Sequence, residues 1–196
     1  YAGAQEQVTA LAERVVAHID LDEPDIVAGL LNALPGVGAH EQVALLLARD
    51  PATHTNLHEP DAVARLLYAL RYAGAQEQVT ALAERVVAHI DLDEPDIVAG
   101  LLNVLPGVGA HEQVALLLAR DPATHTNLDR RRAAKRLLHS LREVEAQEQA
   151  LVLIERLPAA GKFDAFLEAS DQPKRFRFGR EPNGDAAQPW LWEDLE

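Results

Sequence analysis

The chain has 196 residues, of which 48% are hydrophobic and 5% aromatic, and its formal net charge is −13. This apolar content is enough to bury a core and argues against global disorder, while the scarcity of aromatic residues favours close-packed helices. The absence of Cys excludes disulfides, thiol catalysis and Cys-ligated metal. No apolar run approaches the roughly 20 residues that span a bilayer, and no signal peptide is visible, so we expect a cytoplasmic protein.

The charge is distributed unevenly along the chain. Residues 1–128 contain 18 acidic and 6 basic residues, a net charge of −12, whereas residues 129–196 contain 13 and 12, a net charge of −1. Nucleic-acid affinity depends on basic residues that neutralise phosphates. The acidic first part therefore disfavours RNA or DNA as its ligand.

The chain contains a long internal repeat. Of residues 1–57, 56 recur unchanged at 72–128, and the one difference is Ala33 against Val104. Each 71-residue block divides into two related units, whose register a Glu-Gln pair marks in steps of 35 and 36 residues. The pair begins at Glu6, Glu41, Glu77, Glu112 and Glu148. Such a period predicts stacked two-helix units: a half unit at 1–21, full units at 22–57, 58–92 and 93–128, a diverged unit at 129–162, and a different segment at 163–196.

Residues 1–21 contain only the second helix of a unit, helix B, so the first complete unit is 22–57. Its helix B should end early at Asp50-Pro51, because Pro cannot continue a helix. The same pair recurs 71 residues later, in unit 93–128. Both units carry Pro-Gly between their helices, where unit 58–92 has Arg-Tyr. We expect units that alternate in helix length and in the width of the turn between helices A and B.

Unit 58–92 has a clear helical pattern. Its helix A begins with Pro60, whose missing N–H is not needed in a first turn, and ends at Gly74, since Gly tolerates a left-handed turn. Helix B begins near Ala75. The apolar positions at helical spacing are Val63, Leu66, Leu67 and Leu70 in helix A, and Val79, Leu82 and Val86 in helix B. One hairpin cannot bury its own apolar face, but three or more stacked units can.

The unit length and the two-helix pattern resemble the tetratricopeptide and pentatricopeptide repeat class of α-solenoids, over residues 1 to about 160. The stretch ending at Gly74, followed by Glu77-Gln78-Val79, looks most like the pentatricopeptide turn and second helix. The Asp-Glu-Pro-Asp openings and the aromatic C-terminal end are similar to uncharacterised repeat proteins of actinobacteria. The resemblance implies a bacterial solenoid module with no known activity. We expect an all-α fold, a right-handed α-solenoid of two-helix units.

Three positions on one face of helix A differ between units while the apolar positions hardly change. They are Gly29, Asn32 and Gly36; Arg65, Tyr68 and Tyr72; Gly100, Asn103 and Gly107; and Arg136, His139 and Glu143. We call this set the helix-A stripe. In tetratricopeptide-like solenoids helix A lines the concave surface, so the stripe is the candidate ligand face, with Arg65, Tyr68 and Tyr72 as its best anchors. The alternative is that surface positions drift and the two Tyr cover a junction between units.

Histidines recur at the end of helix B, each followed four residues later by Asp22, His58, Asp93 or Asp129. They are His18, His54, His89 and His125. The structural interpretation is that the imidazolium suits the negative end of a helix and that the Asp caps the next helix. The alternative is a metal at His54 and His58, for which the sequence offers no third ligand. We therefore predict no metal site.

Unit 129–162 opens with a basic cluster that extends the stripe through Arg132 and Arg136. The cluster is a solvated end, a docking site for an acidic protein segment, or a contact with the acidic face of another copy. In the segment 163–196, Phe163, Phe166 and Leu167 suggest a short helix. An Asn-Gly turn between residues 175–178 and 190–192 predicts a small β-hairpin cap. The alternative is an aromatic recognition element that inserts Trp190 or Trp192 into a partner.

These features predict a non-catalytic scaffold that binds a protein or peptide on its concave helix-A face. Its candidate contact residues are Asn32, Arg65, Tyr68, Tyr72, Asn103, Arg132, Arg136, His139, Trp190 and Trp192. The first alternative function is self-assembly, end to end or by exchange of hairpins. The second is RNA binding through the basic fourth unit. Enzyme signatures are absent, so we predict no catalytic residue and no cofactor, and no membrane partner.

Overall fold

A computed structural model describes residues 2–170 and 174–189, with side chains at 6–130, 132–170 and 174–189. The predicted all-α class is confirmed, since these residues form helices and no strand. The helices are α1 (Ala2–His18), α2 (Pro24–Gly36), α3 (His40–Ala48), α4 (Pro51–His54), α5 (Pro60–Tyr72), α6 (Gln76–His89), α7 (Pro95–Gly107), α8 (His111–Ala119), α9 (Pro122–His125), α10 (Arg131–Glu143), α11 (Gln147–Arg156) and α12 (Phe163–Ala169). Within these ranges no helix has the length and apolar character needed to cross a membrane.

Helices α2, α5, α7 and α10 occupy the four helix A positions of the repeat, and each is 13 residues long. Proline opens the first three, as predicted. After α5 the chain reverses at Gly74 with φ +76°. Gly38 after α2 and Gly109 after α7 take the same left-handed conformation. The expected alternation in the width of the turn between helices A and B is wrong. Pro35 lies within the last turn of α2, so the helix and the following turn have the same length as in α5.

The helix B segments alternate in form, as predicted. Helix α6 is a continuous helix of 14 residues, whereas α3 has 9 residues. The early stop is confirmed: Asp50 takes a left-handed conformation with φ 54°, and Asp121 repeats it after α8. A helical turn then resumes at Pro51, because proline fits the first position of a helix. We call α3–α4 and α8–α9 the broken helices, and α1, α6 and α11 the continuous ones.

The helices pack in chain order around one apolar core. Helix α5 lies along α2, and α10 lies along α7, whereas α5 and α7 contact each other over a shorter length. On the helix B side, α3 packs on α1, α6 on α4 and α8, and α11 on α9. Most of the largest fully buried side chains are leucines, including Leu66, Leu70, Leu82, Leu102 and Leu117. Two successive helices A thus pack closely when a broken helix lies between them in the chain, and less closely when the continuous helix α6 lies between them.

A recurring arginine joins each helix B to the one before it. Arg49 donates to the carbonyls of Val16 and Ile19, Arg85 to those of Ala52 and Thr55, Arg120 to those of Val87 and Ile90, and Arg156 to those of Ala123 and Thr126. The Nη2 to second-carbonyl distance is 2.9–3.1 Å in all four. Carbonyls at a helix end have no partner within their own helix, so these clamp arginines satisfy them across the junction.

A glutamine reinforces the clamp wherever a continuous helix follows a broken one. The Gln78 amide donates to the carbonyl of Leu47 at 2.7 Å, and Gln149 donates to Leu118 in the same way. Both acceptors lie in the last turn before the left-handed Asp that breaks the helix. In two of the Glu-Gln pairs that mark the repeat, the Gln thus forms an inter-unit hydrogen bond to a backbone carbonyl.

The segment after unit 129–162 begins with α12, the short helix that was predicted. The Phe166 and Phe176 rings meet edge to face at 5.0 Å between centroids, and both side chains are buried. The predicted β-hairpin is not formed in the described residues: 174–178 make a turn that brings Phe176 into the core. The only pairing there is an isolated antiparallel bridge between Arg180 and Ala186. The expected second arm, 190–192, lies outside the described residues.

Candidate functional site

The helix-A stripe is a real exposed surface across four helices. Tyr72 exposes 84% of its surface and Tyr68 exposes 37%, while Asn32 and Asn103 are exposed on the flanking helices α2 and α7. The leucines on the opposite face of α5 are fully buried. The stripe thus presents two aromatic rings on a helix whose aliphatic side chains all face the core.

Glycines flank the two tyrosines. A Cβ built at Gly29, Gly36 or Gly100 would meet no atom within 4 Å, so the backbone of α2 and α7 is open to solvent at these points. Tyr68 and Tyr72 therefore form a ridge on α5, which we call the tyrosine ridge, and the flanking helices α2 and α7 carry glycine in place of side chains at these points. Gly permits another chain to approach the backbone closely, which a larger side chain would prevent.

Arg65, expected to be a ligand anchor, is held in an ion pair between neighbouring helices A. Its Nε and Nη2 lie 2.7 and 2.8 Å from the two carboxylate oxygens of Asp25. This hydrogen bonding lowers the pKa of the Asp25 carboxyl and raises the pKa of the Arg65 guanidinium. Both side chains remain about half exposed. Arg65 thus joins α5 to α2.

Arg136 repeats this arrangement one block later. Its Nη1 lies 2.9 Å from Asp96 of α7, and Arg130 approaches the same carboxylate at 3.6 Å and Glu94 at 3.8 Å. In each closely packed pair of helices A, this stripe position is therefore glycine on the first helix and arginine on the second. Sequence reasoning missed the two Asp partners, although each precedes its Arg by 40 residues.

Tyr68 covers part of the junction between α5 and α7. A Cβ at Gly107 would lie 2.9 Å from the Tyr68 hydroxyl oxygen and 3.5 Å from the nearest ring carbon. The proposal that the tyrosines cover a unit junction therefore holds for Tyr68. It does not hold for Tyr72, whose side chain is almost completely exposed.

A cavity of about 210 Å³ separates the N-terminal halves of α5 and α7. Its apolar lining comes from Pro60 and Val63 of α5, Val86 of α6, and Ile97 and Leu101 of α7. Sequence reasoning did not identify this site. The sequence feature that could have indicated it is the continuous helix α6. Because α6 is not broken, α7 diverges from α5 instead of packing along it.

The basic cluster of unit 129–162 is largely paired within the protein. Arg130 and Arg136 face carboxylates of α7, and Lys135 forms an ion pair with Glu168 of α12. Arg132 and His139 are exposed, and His139 lies beside the groove between α10 and α12. Paired guanidinium groups are less available to phosphates, so the geometry weakens the case for RNA.

Three of the histidines at the helix B ends form a hydrogen bond to their own backbone segment, a contact that the sequence analysis did not specify. The Nδ1 atoms of His18, His54 and His89 lie 2.7–2.9 Å from the carbonyl four residues earlier, and each ring donates to that carbonyl. The predicted capping by the following Asp is wrong, because α2 and α7 begin without a side-chain cap and Asp22 and Asp93 lie in the preceding turns. In the described residues no group of three or more metal-ligating side chains comes together.

Trp190 and Trp192 lie outside the described residues. The other predicted contact residues fall on the helix-A stripe or at its basic end. Comparisons with protein-family models, curated proteins and solved structures found no match.

Proposed function

We propose that this protein is a non-catalytic interaction module that holds a segment of another protein on the helix-A stripe. In this proposal the units form a right-handed α-solenoid of the tetratricopeptide-like kind, and residues 163–196 close its C-terminal end. The repeat of helix bounds and inter-unit contacts supports a solenoid. The burial of Phe166 and Phe176 in the apolar core supports a capping role for the last segment.

The observation that carries the proposal is the exposure of Tyr72. Its side chain is 84% exposed, although Leu66, Leu67 and Leu70 of the same helix are inaccessible to solvent. Tyrosine offers a large, rigid, amphipathic surface and is enriched among residues that dominate binding energy. Beside Tyr68 and the open glycine backbone of α2 and α7, it provides an anchor with a groove on each side.

The charge of the surrounding surface indicates the chemistry of the partner. Residues 1–128 carry a net charge of −12, and Arg65 is neutralised by Asp25. Long-range attraction therefore favours a partner segment with Lys or Arg, and like-charge repulsion disfavours an acidic one. We expect a basic segment with one or two apolar residues that pack on the tyrosine ridge.

Selection from a displayed library of random peptides tests this proposal. Peptides retained by the immobilised chain should be enriched in Lys, Arg and apolar residues. A chain with Tyr68→Ala and Tyr72→Ala should no longer retain them. Peptides that bind this double variant as strongly as the wild type would place the binding surface elsewhere and overturn the proposal.

A further inference from the structure

The first helix exposes a face that an identical helix buries elsewhere in the same chain. Residues 1–21 and 72–92 have the same sequence, so α1 and α6 are matched helices. In α6, Val79 and Leu82 have no exposed surface and Val86 exposes 8%. The equivalent residues of α1 are Val8, Leu11 and Val15, which expose 38%, 59% and 37%. The same apolar face is covered in one position and open in the other.

The neighbours of α6 identify what covers this face. Helix α6 packs against α5 and against α4, the short second part of a broken helix. Its Gln78 donates to the Leu47 carbonyl at 2.7 Å, and its Arg85 donates to the Thr55 carbonyl at 3.1 Å and also to Ala52. The left-handed Asp50 interrupts the helix between these acceptors. The covering element thus combines apolar contact with three carbonyls at the ends of a broken helix.

Helix α1 carries the matching donors. Gln7 is the equivalent of Gln78, and Arg14 is the equivalent of Arg85. Both side chains are exposed, and neither side chain has a hydrogen-bond partner within the described part of the chain. Each of the four clamp arginines donates to two carbonyls of the helix B before it. Arg14 is the equivalent residue of α1 and lacks these acceptors in the described residues.

We infer that the open face of α1 is a docking surface for a two-helix unit made of a helix broken by an Asp-Pro pair and the helix A that follows it, as α3–α4 and α5 cover α6. The unit would place its apolar side chains on Val8, Leu11 and Val15, and would offer three carbonyls to Gln7 and Arg14. The docking surface is the open face of α1 and shares no residue with the helix-A stripe.

A folded second copy does not fit this description. The described residues contain two broken helices, α3–α4 and α8–α9, and their carbonyls already accept hydrogen bonds from α6 and α11. The last helix B in the chain, α11, is continuous and presents no such break. Stacking the α11 end of one copy on the α1 of another would therefore not reproduce any junction seen within the chain.

A fusion tests the inference with a matched sequence. Residues 22–71 directly precede Tyr72, the equivalent of Tyr1, so attaching a second copy of 22–71 before Tyr1 supplies the specified unit. A cysteine at Leu11 (Leu11→Cys) reports on the face, because the chain has no other Cys. Ala17→Cys is the control, since Ala17 and its equivalent Ala88 are both exposed. Maleimide labelling of the Leu11→Cys thiol should be at least ~10-fold slower in the fusion, with no change for Ala17→Cys.

Arg14→Ala provides the second measurement. In the fusion it should lower the Tm by about 4–8 °C, as we also expect for Arg85→Ala, because two carbonyl acceptors lose their charged donor. In the original chain it should leave the Tm unchanged. Equal labelling of the Leu11→Cys thiol in both chains would overturn the inference. A second fusion with residues 93–142, which contain the other broken helix, guards against failure of the first to fold, and labelling in it must slow equally.

The original chain should also keep a mass near 21.4 kDa in solution as concentration rises. A dimer in which the Leu11→Cys thiol becomes protected would make a second copy the occupant and contradict the inference.

Discussion

The hydroxyl oxygen of Tyr68 lies over Gly107 of the next helix A, where a Cβ would stand 2.9 Å from it. Gly107→Ala should displace the Tyr68 ring from α7. Ala favours a helix over Gly by up to about 1 kcal/mol, and we expect the lost contact to offset this gain. Gly36→Ala is the matched control, because its Cβ meets nothing within 4 Å, and it should raise the free energy of unfolding. Equal gains for both variants in urea denaturation would show that the contact has no energetic weight.

The ion pair between Arg65 and Asp25 makes stability depend on pH. The pKa of Asp25 is lower in the folded state than its ordinary value of 3.8, so the pair stabilises the fold above that value. Its contribution is lost as the pH falls through the lowered pKa. Asp25→Asn should therefore be less stable than the wild type at neutral pH and equally stable at a pH below the lowered pKa of Asp25.

The stability difference for Asp25→Asn should be small and should shrink at high salt, because both side chains are about half exposed. Glu77→Gln is the control, since Glu77 is an exposed carboxylate in the first turn of α6 and has no ion pair among the described residues. Urea denaturation at both pH values and two salt concentrations measures these differences. A difference for Asp25→Asn that persists at low pH would contradict the electrostatic explanation.

The clamp arginines need the planar guanidinium as well as its charge. Arg120 reaches two carbonyls, of Val87 and Ile90, and a lysine ammonium cannot bridge them in the same geometry. We expect Arg120→Ala to lower the free energy of unfolding by about 2 kcal/mol and Arg120→Lys by about 1 kcal/mol. Arg71→Ala, at an exposed position with one side-chain partner, should change it by less than about 0.5 kcal/mol. Guanidinium denaturation that ranks Arg71→Ala beside Arg120→Ala would contradict a special role for the clamp.

Glu145 occupies a backbone position that favours glycine. Its φ is 59°, and Gly74, which ends the equivalent helix of unit 58–92, has φ 76°. A side chain in this left-handed conformation costs roughly 1 kcal/mol, so Glu145→Gly should stabilise the fold by about 0.5–1 kcal/mol. Gly74→Glu should destabilise it by a similar amount or more. Thermal unfolding of the two variants gives opposite shifts in Tm if the backbone conformation is the cause.

The sequence alone was sufficient for the helix A bounds and for the early end of the broken helices. Pro60, Gly74 and the Asp50-Pro51 pair act through local backbone preferences, which can be predicted from the residue type alone. The clamp was missed because its donors and acceptors are 30 and 33 residues apart. A signal for it was nevertheless present: four of the 6 basic residues in 1–128 recur in steps of 35 and 36, the same steps as the Glu-Gln pair.

The candidate site was predicted in part. Periodicity identified the exposed face of helix A and placed Tyr72 on it. It could not reveal that Arg65 faces Asp25, because that contact depends on how closely α5 packs along α2. Nor could it reveal the cavity between α5 and α7, which depends on the divergence of two helices. In the described residues no hairpin forms around Asn183-Gly184, because Phe176 is buried in a turn, where packing overrides the alternation of apolar and polar residues.

The affinity of one selected peptide for three versions of the chain tests the central claim most directly. Fluorescence anisotropy with a labelled peptide would compare the wild type, the Tyr68→Ala and Tyr72→Ala double variant, and Leu116→Ala. Leu116 is the control because it is an exposed apolar residue of α8, outside the helix-A stripe. We predict that the double variant raises the Kd at least ~10-fold, a loss of about 1.4 kcal/mol, and that Leu116→Ala leaves it unchanged. An unchanged Kd for the double variant would contradict binding on the helix-A stripe.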